Sequence, residues 1–236
     1  MTIRKLALVS GVVLGLGSAS VFAQEEDNAS IALGYVGTSG NTETQTFNLE
    51  FLMAIDSEQW LHNIKFQALG ATENDEAKAE RYFLEDKSDY NLDEMQYLFV
   101  KGNYTDDRFS GFEYQAAVSA GYGRYLRKDD IITFQAFGGL GYRQNDVIGG
   151  ESDGEAIVSL GESFSWQISD NAKLTQSLTS EAGSDLTVTR FEIGLETNIV
   201  DAITTKIAFQ ARNTSEVPVG TEKTDTQTSI SLVYSF

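Results

Sequence analysis

The stretch Thr46-Phe47-Asn48-Leu49-Glu50-Phe51-Leu52-Met53-Ala54-Ile55 decides the fold. Phe47, Leu49, Phe51, Met53 and Ile55 are apolar, and Thr46, Asn48 and Glu50 between them are polar. Successive side chains of a strand point to opposite faces, so this period of two separates an apolar face from a polar one. The same period recurs on both sides of the stretch. Trp60, His62, Ile64 and Phe66 alternate with Asn63, Lys65 and Gln67, and Tyr114, Ala116, Val118 and Ala120 with Gln115 and Ser119. The last apolar set is Ile230, Leu232, Tyr234 and Phe236. The reading is all-β. Counting sets and breakers predicts about twelve strands, beginning near Ser30, Thr44, Trp60, Glu80, Met95, Glu113, Ile131, Glu155, Ala172, Leu186, Ile203 and Asp225.

The connectors alternate in length. Asp56–Gln59, Leu92–Glu94, Arg127–Asp130, Ser169–Asn171 and Val200–Ala202 are short, whereas the other series is mostly longer: Ala71–Ala79, Thr105–Phe112, Arg143–Gly154 and Thr214–Thr224, with shorter members at Ser39–Thr42 and Glu181–Asp185. An even number of strands, with tight turns at one end and longer loops at the other, is the pattern of a transmembrane antiparallel up-and-down β-barrel in a Gram-negative outer membrane. That pattern puts both termini on the periplasmic side.

Composition narrows the alternatives. The 236 residues carry a net charge of −18, no Cys, one Pro and one His. Without Cys there is no disulfide framework, thiol nucleophile or thiolate metal site, and one His cannot make an imidazole cluster. The acidity argues against a nucleic-acid partner, which needs cations to neutralise phosphates. Arg4 and Lys5, the apolar run Leu6–Leu16 and the ending Val21-Phe22-Ala23 predict a signal peptide over residues 1–23. Because it holds two cations and no acid, its removal leaves a charge of −20. A short periplasmic tail, 24–29, and a barrel, 30–236, complete the expected organisation.

Aromatic residues are expected in two bands. Trp60, Tyr90, Tyr122, Tyr125, Trp166, Tyr234 and Phe236 fall near the short-turn end, and Tyr35, Tyr82, Tyr104, Tyr114 and Tyr142 near the other. Amphipathic rings of this kind form girdles at the two membrane interfaces. Ile230, Leu232, Tyr234 and the terminal Phe236 look like the strand signal that the barrel assembly machinery recognises. An extended backbone with one apolar face suits pairing with an open sheet edge. Asp86 and Glu162 interrupt apolar rows, and a β-bulge or a contact with another chain is the expected remedy.

The opposite parity gives a lumen. Its expected acids are Glu50, Glu85, Asp89, Glu113, Glu155, Glu192 and Glu196, and its bases Lys65, Lys87, Lys101, Arg143, Lys173, Arg190, Lys206 and Arg212. Twelve strands about 4.8 Å apart, tilted about 40°, close to roughly 24 Å across the backbone. Side chains from both walls then leave about 10 Å at most. Near-balanced charges in that space either fill it or line a narrow channel. Excess acid, including Asp107, Glu181 and Asp225, is assigned to the loops, where divalent cations shared with lipopolysaccharide are candidate partners. No cofactor is expected, and the barrel is read as a monomer.

An outer-membrane lipid-modifying enzyme is one alternative, because such barrels include lipid hydrolases. His62 is the sole imidazole base, and His62-Asn63-Ile64 lacks a Ser two residues on, so no catalytic residue is assigned. A secreted soluble β-sandwich binding protein is the other alternative.

Thr38-Ser39-Gly40-Asn41-Thr42 ahead of the Thr46–Ile55 strand resembles the N-terminal signature of the YdiY-like family, described as salt-induced outer-membrane proteins of unknown function. Asp106-Asp107-Arg108-Phe109-Ser110-Gly111-Phe112 and Gly121-Tyr122-Gly123-Arg124-Tyr125-Leu126 are similar to the family's central segment. The resemblance implies a barrel and an outer-membrane location, and it supplies no catalytic or ligand residues. The expected function is a narrow channel or an envelope-maintenance barrel linked to ionic stress.

Overall fold

In a computed structural model, residues 28–38, 44–150 and 152–236 are described. The expected signal peptide, residues 24–27 of the expected tail, the turn 39–43 with its family signature, and Glu151 lie outside the described residues.

Alternating side chains build twelve strands: β1 (Asn28–Thr38), β2 (Thr44–Asp56), β3 (Trp60–Glu73), β4 (Glu76–Asn91), β5 (Gln96–Asp107) and β6 (Phe112–Lys128), followed by β7 (Ile132–Val147), β8 (Ser152–Ser169), β9 (Ala172–Ala182), β10 (Thr187–Val200), β11 (Ile203–Thr214) and β12 (Thr224–Ser235). Each strand pairs antiparallel with its chain neighbours, and β12 returns to β1 through Ile31↔Tyr234 and Leu33↔Leu232. The result is one closed barrel without a free edge. A soluble sandwich, which needs two packed sheets, is thereby excluded. Asn28 and Ala29 pair with Ala54 and Met53, so the barrel starts two residues before Ser30 and the expected tail is shorter.

The exposure pattern is inverted relative to a water-soluble domain. Leu140 on the outer wall is 72% exposed, whereas Lys101 inside is 1% exposed. Leu98, Val100, Tyr104, Leu160, Ile207 and Leu232 share the outer face. Such an apolar exterior is stable only against another apolar phase.

The predicted loops contract. Ala71–Ala79 forms no long loop: β3 and β4 continue to Glu73 and Glu76, joined by Asn74 and Asp75 alone. Both residues have positive φ, 49° and 62°, and Asn and Asp tolerate the left-handed region that a two-residue hairpin turn requires. Thr105–Phe112 and Arg143–Gly154 likewise shrink to 108–111 and 148–151, leaving 215–223 as the longest described connector. The strands overrun the expected apolar band at this end, which is called the loop end below. Ala29 and Phe236, at the outer ends of β1 and β12, lie at the opposite, short-turn end.

Candidate functional site

Closure directs the polar parity inward, and side chains from distant strands meet there. Lys65 on β3 places Nζ 2.5 Å from Glu192 Oε2 on β10 and 3.8 Å from Glu50 Oε2 on β2. Lys206 on β11 lies 2.7 Å from Glu50 and 3.1 Å from Glu192. Two bases and two acids thus form a ring of alternating charge across the lumen, with each base touching both acids. On the other side, Lys101 on β5 donates to Glu181 on β9 at 2.8 Å, and Asn103 donates to the same oxygen at 2.7 Å. The second Glu181 oxygen accepts from Arg190 at 3.2 Å. Buried charges this well partnered cost much less than isolated ones.

Towards the short-turn end the lumen turns aromatic. Tyr97, Phe99 and Tyr125 form a buried cluster with Met95 and Phe137 packed against it. The Tyr97 ring lies over Gly123, where a Cβ would strike it, so glycine makes room for the ring against the wall. Lys87 Nζ lies 4.4 Å from the Tyr97 ring centroid and forms a 2.5 Å ion pair with the buried Asp89. Lys173 is exposed at the short-turn mouth, in register with Glu196.

Towards the loop end, Arg143 is buried and ties three elements together. It donates to Glu155 at 2.5 Å, to the Glu181 carbonyl at 3.1 Å, and to the Leu186 carbonyl. Phe112, Leu186 and Val188 pack beside it with Val147. Next to this packed sector a cavity of about 500 Å³ remains, lined by Arg81, Arg190, Arg212 and Phe83 and reaching down to Lys65 and Glu192. Glu85 lines it as well. The ion-pair ring therefore stands between this cavity and the short-turn mouth.

Several sequence assignments change. Glu113 is not a lumen residue: the β6–β7 register slips between Phe112 and Tyr114, and Glu113 is the exposed extra residue of that bulge. Glu181, Asp107 and Asp225 are not solvated loop acids. Glu181 is 1% exposed, Asp107 lies 3.7 Å from Arg212, and Asp225 lines the cavity. Arg81 was absent from the expected bases, although its parity with Glu85 and Lys87 points it inward.

No bulge rescues Asp86 or Glu162. The register runs unbroken through Ile64↔Asp86↔Gly102 and Ala136↔Glu162↔Leu178, so both carboxylates stand on the outer face. Each finds a polar neighbour there. Gln176 donates to Glu162 at 2.6 Å, and Ser88 donates to Asp86 at 3.2 Å. His62 Nδ1 lies 2.7 Å from Ser88 Oγ, a cross-strand pairing with no trace in the local sequence around His62. The acid here contacts the hydroxyl rather than the imidazole, so it does not orient His62 as a triad acid does. His62 stacks on Trp60 instead, with ring centroids 5.7 Å apart.

Ile230, Leu232 and Tyr234 on β12, and Phe236 just after it, all point outward, and the Phe236 and Ala29 backbones exchange hydrogen bonds at 2.9 and 3.2 Å. Among the described residues, no three His, Cys, Asp or Glu side chains converge as metal ligands.

Residues 31–236 match a family model described as a protein of unknown function, DUF481. The chain is 29% identical to the uncharacterized protein YdiY of Escherichia coli (strain K12), over 97% of this chain and 95% of that one. Among solved structures it is similar to an outer-membrane channel from Pseudomonas putida F1, with TM-score 0.51 and 10% identity over 89% of this chain and 95% of the other. The NanC porin gives TM-score 0.49 and 10% identity, over 88% and 97%. At 10% identity the likeness to the Pseudomonas putida F1 channel shows the barrel fold alone.

Proposed function

The chain belongs to the DUF481 family, and from that premise and the geometry of its lumen we propose that it is an outer-membrane barrel forming a narrow, normally closed passage for small solutes. The observation that carries this reading is the set of ion pairs spanning the lumen, Lys65–Glu192 and Lys206–Glu50 on one side and Lys101–Glu181 on the other. These pairs fill the cross-section without covalent closure, so their rearrangement opens a path. The short turns and termini face the periplasm, and the loop end faces outward.

The link to ionic conditions acts through the exposed members. Salt screens buried pairs weakly and exposed charges strongly. Lys65, 25% exposed in its side chain, is therefore the most salt-sensitive member of the ring. Lipopolysaccharide surrounds the loop end in this reading, with divalent cations as diffuse counter-ions to the acids there. The barrel works as a monomer and is delivered by the assembly machinery through the Ile230–Phe236 strand.

Liposome swelling tests the passage. The purified barrel is expected to admit glycerol and other small neutral solutes slowly, with uptake falling steeply as solute size rises and increasing in high salt. Impermeable liposomes containing heat-modifiable, folded protein would contradict it and leave a purely structural barrel.

A further inference from the structure

The loop-end cavity contains more guanidinium than its own carboxylates neutralise at contact. Arg81 donates to the neutral amide of Gln227 at 3.2 Å, and among the described residues no carboxylate lies within ion-pair distance of it. Arg212 donates to the Gln115 amide; among the described residues the acid within ion-pair distance, Asp107, stands off at 3.7 Å, and Asp225 lies within electrostatic reach. Arg190 shares Glu181 with Lys101. The three guanidiniums come from β4, β10 and β11, line one space, and lie within electrostatic reach of one another. Like charges gathered away from bulk water favour an anion between them.

We propose that this cavity binds a small hydroxylated carboxylate, a sugar acid in chemical class, with its carboxylate held by Arg81 and Arg212. The inference deepens the passage reading and rests on it. The planar fork of arginine matches a carboxylate through two parallel hydrogen bonds, a geometry that lysine does not offer. Arg190 lies over the Phe83 ring at 5.4 Å and covers that face, so the apolar surface the cavity offers beside the charge is the half-exposed Phe109. A sugar ring presents C–H groups to such a surface and hydroxyls to amides, and Gln210 and Gln227 line the same wall. About 500 Å³ lies within the usual range of ligand pockets and suits one or two rings. Glu85, Asp107, Glu192, Glu222 and Asp225 also line the space. They disfavour ligands with several negative charges and confine the anion to the arginine side.

Isothermal titration calorimetry on the folded barrel in detergent, at constant ionic strength, tests this with D-glucuronate, D-glucose, D-glucosamine and acetate. D-glucuronate is expected to saturate at least tenfold more tightly than each of the other three. Arg81→Gln is expected to weaken it about tenfold while keeping heat-modifiable migration. Equal binding of glucuronate and acetate, equal binding of glucuronate and glucosamine, or an unaffected Arg81→Gln protein would overturn the proposal. Liposome swelling separates the two readings. Saturable glucuronate binding to an impermeable barrel removes the passage and keeps the site, whereas glycerol permeation without saturable binding removes the site and keeps the passage.

Discussion

Lys65 and Glu192 meet at 2.5 Å although their strands, β3 and β10, stand five positions apart around the barrel. Each side chain crosses roughly half of the lumen. Removing one partner strands the other charge, which typically costs about 3–5 kcal/mol for a fully buried pair. Lys65→Met is expected to cost less, about 2 kcal/mol, because solvent reaches part of Lys65 and Lys206 still serves both acids. Lys65→Met combined with Glu192→Leu should recover most of that loss. Urea unfolding of the four proteins of the double-mutant cycle in lipid vesicles reads the coupling.

The contact between Tyr97 and Gly123 gives a second expectation. A Cβ at residue 123 enters the Tyr97 ring, and overpacking of this kind typically costs about 1–3 kcal/mol. Gly123→Ala should therefore lower the unfolding free energy by that amount. In a Tyr97→Ala background, itself destabilised by loss of a buried ring, Gly123→Ala should cost nothing further, because the obstructing ring is gone. A fully stable Gly123→Ala protein would show that the ring has room to move.

Asp86 tests what surrounds the outer wall. Against lipid, a carboxylate midway between Tyr82 and Tyr90 is unfavourable, by less than the roughly 2–4 kcal/mol given for Arg or Lys at the midplane. Asp86→Leu is expected to raise stability by about 1 kcal/mol in lipid vesicles, since it removes that cost and loses only the Ser88 contact. Lower stability would instead point to a protein partner against this face.

Asp129 predicts a local pH dependence. In the turn between β6 and β7 its carboxylate accepts from Arg127 at 2.6 Å and from the Ile132 and Ile131 amides at 2.8 and 3.0 Å. The Arg127 hydrogen bond, followed by the two amides, holds its pKa below the ordinary 3.8. A depressed acid stabilises the fold above its unfolded pKa and loses that contribution as pH falls through the folded one. The turn should thus stay intact to below pH 3.8 and loosen beneath that. Side-chain carboxyl chemical shifts across an acid titration would show the midpoint, and a midpoint above 3.8 would contradict these hydrogen bonds.

Strand positions were legible because period-two alternation is a local property; β2, β3, β9 and β11 begin at the residues where the pattern starts. Loop lengths were not. Polar residues such as Glu76 and Lys78 extend a strand beyond the apolar band as readily as they form a loop, and only the Asn74-Asp75 backbone shows where the chain turns. Glu181 was missed for the same reason, although the parity of Lys173, Thr175, Ser177 and Thr179 runs directly into it. Glu113 was misplaced because one slipped residue reverses parity without any compositional mark. The partnering of Lys65 with Glu192 was beyond reach from sequence. It depends on closure and on the stagger of the strands, neither of which leaves a local trace.

In the proposed function, closure of the lumen rests on its charge pairs. It is tested most directly by single-channel recording of the wild-type barrel beside Lys101→Ala/Glu181→Ala, a variant that removes both charges and their bulk together. The wild type is expected to be closed for most of the record, and the folded variant to stay open longer and pass several times the current. A wild type that carries a steady open-pore current, or a folded variant as silent as the wild type, would contradict the account.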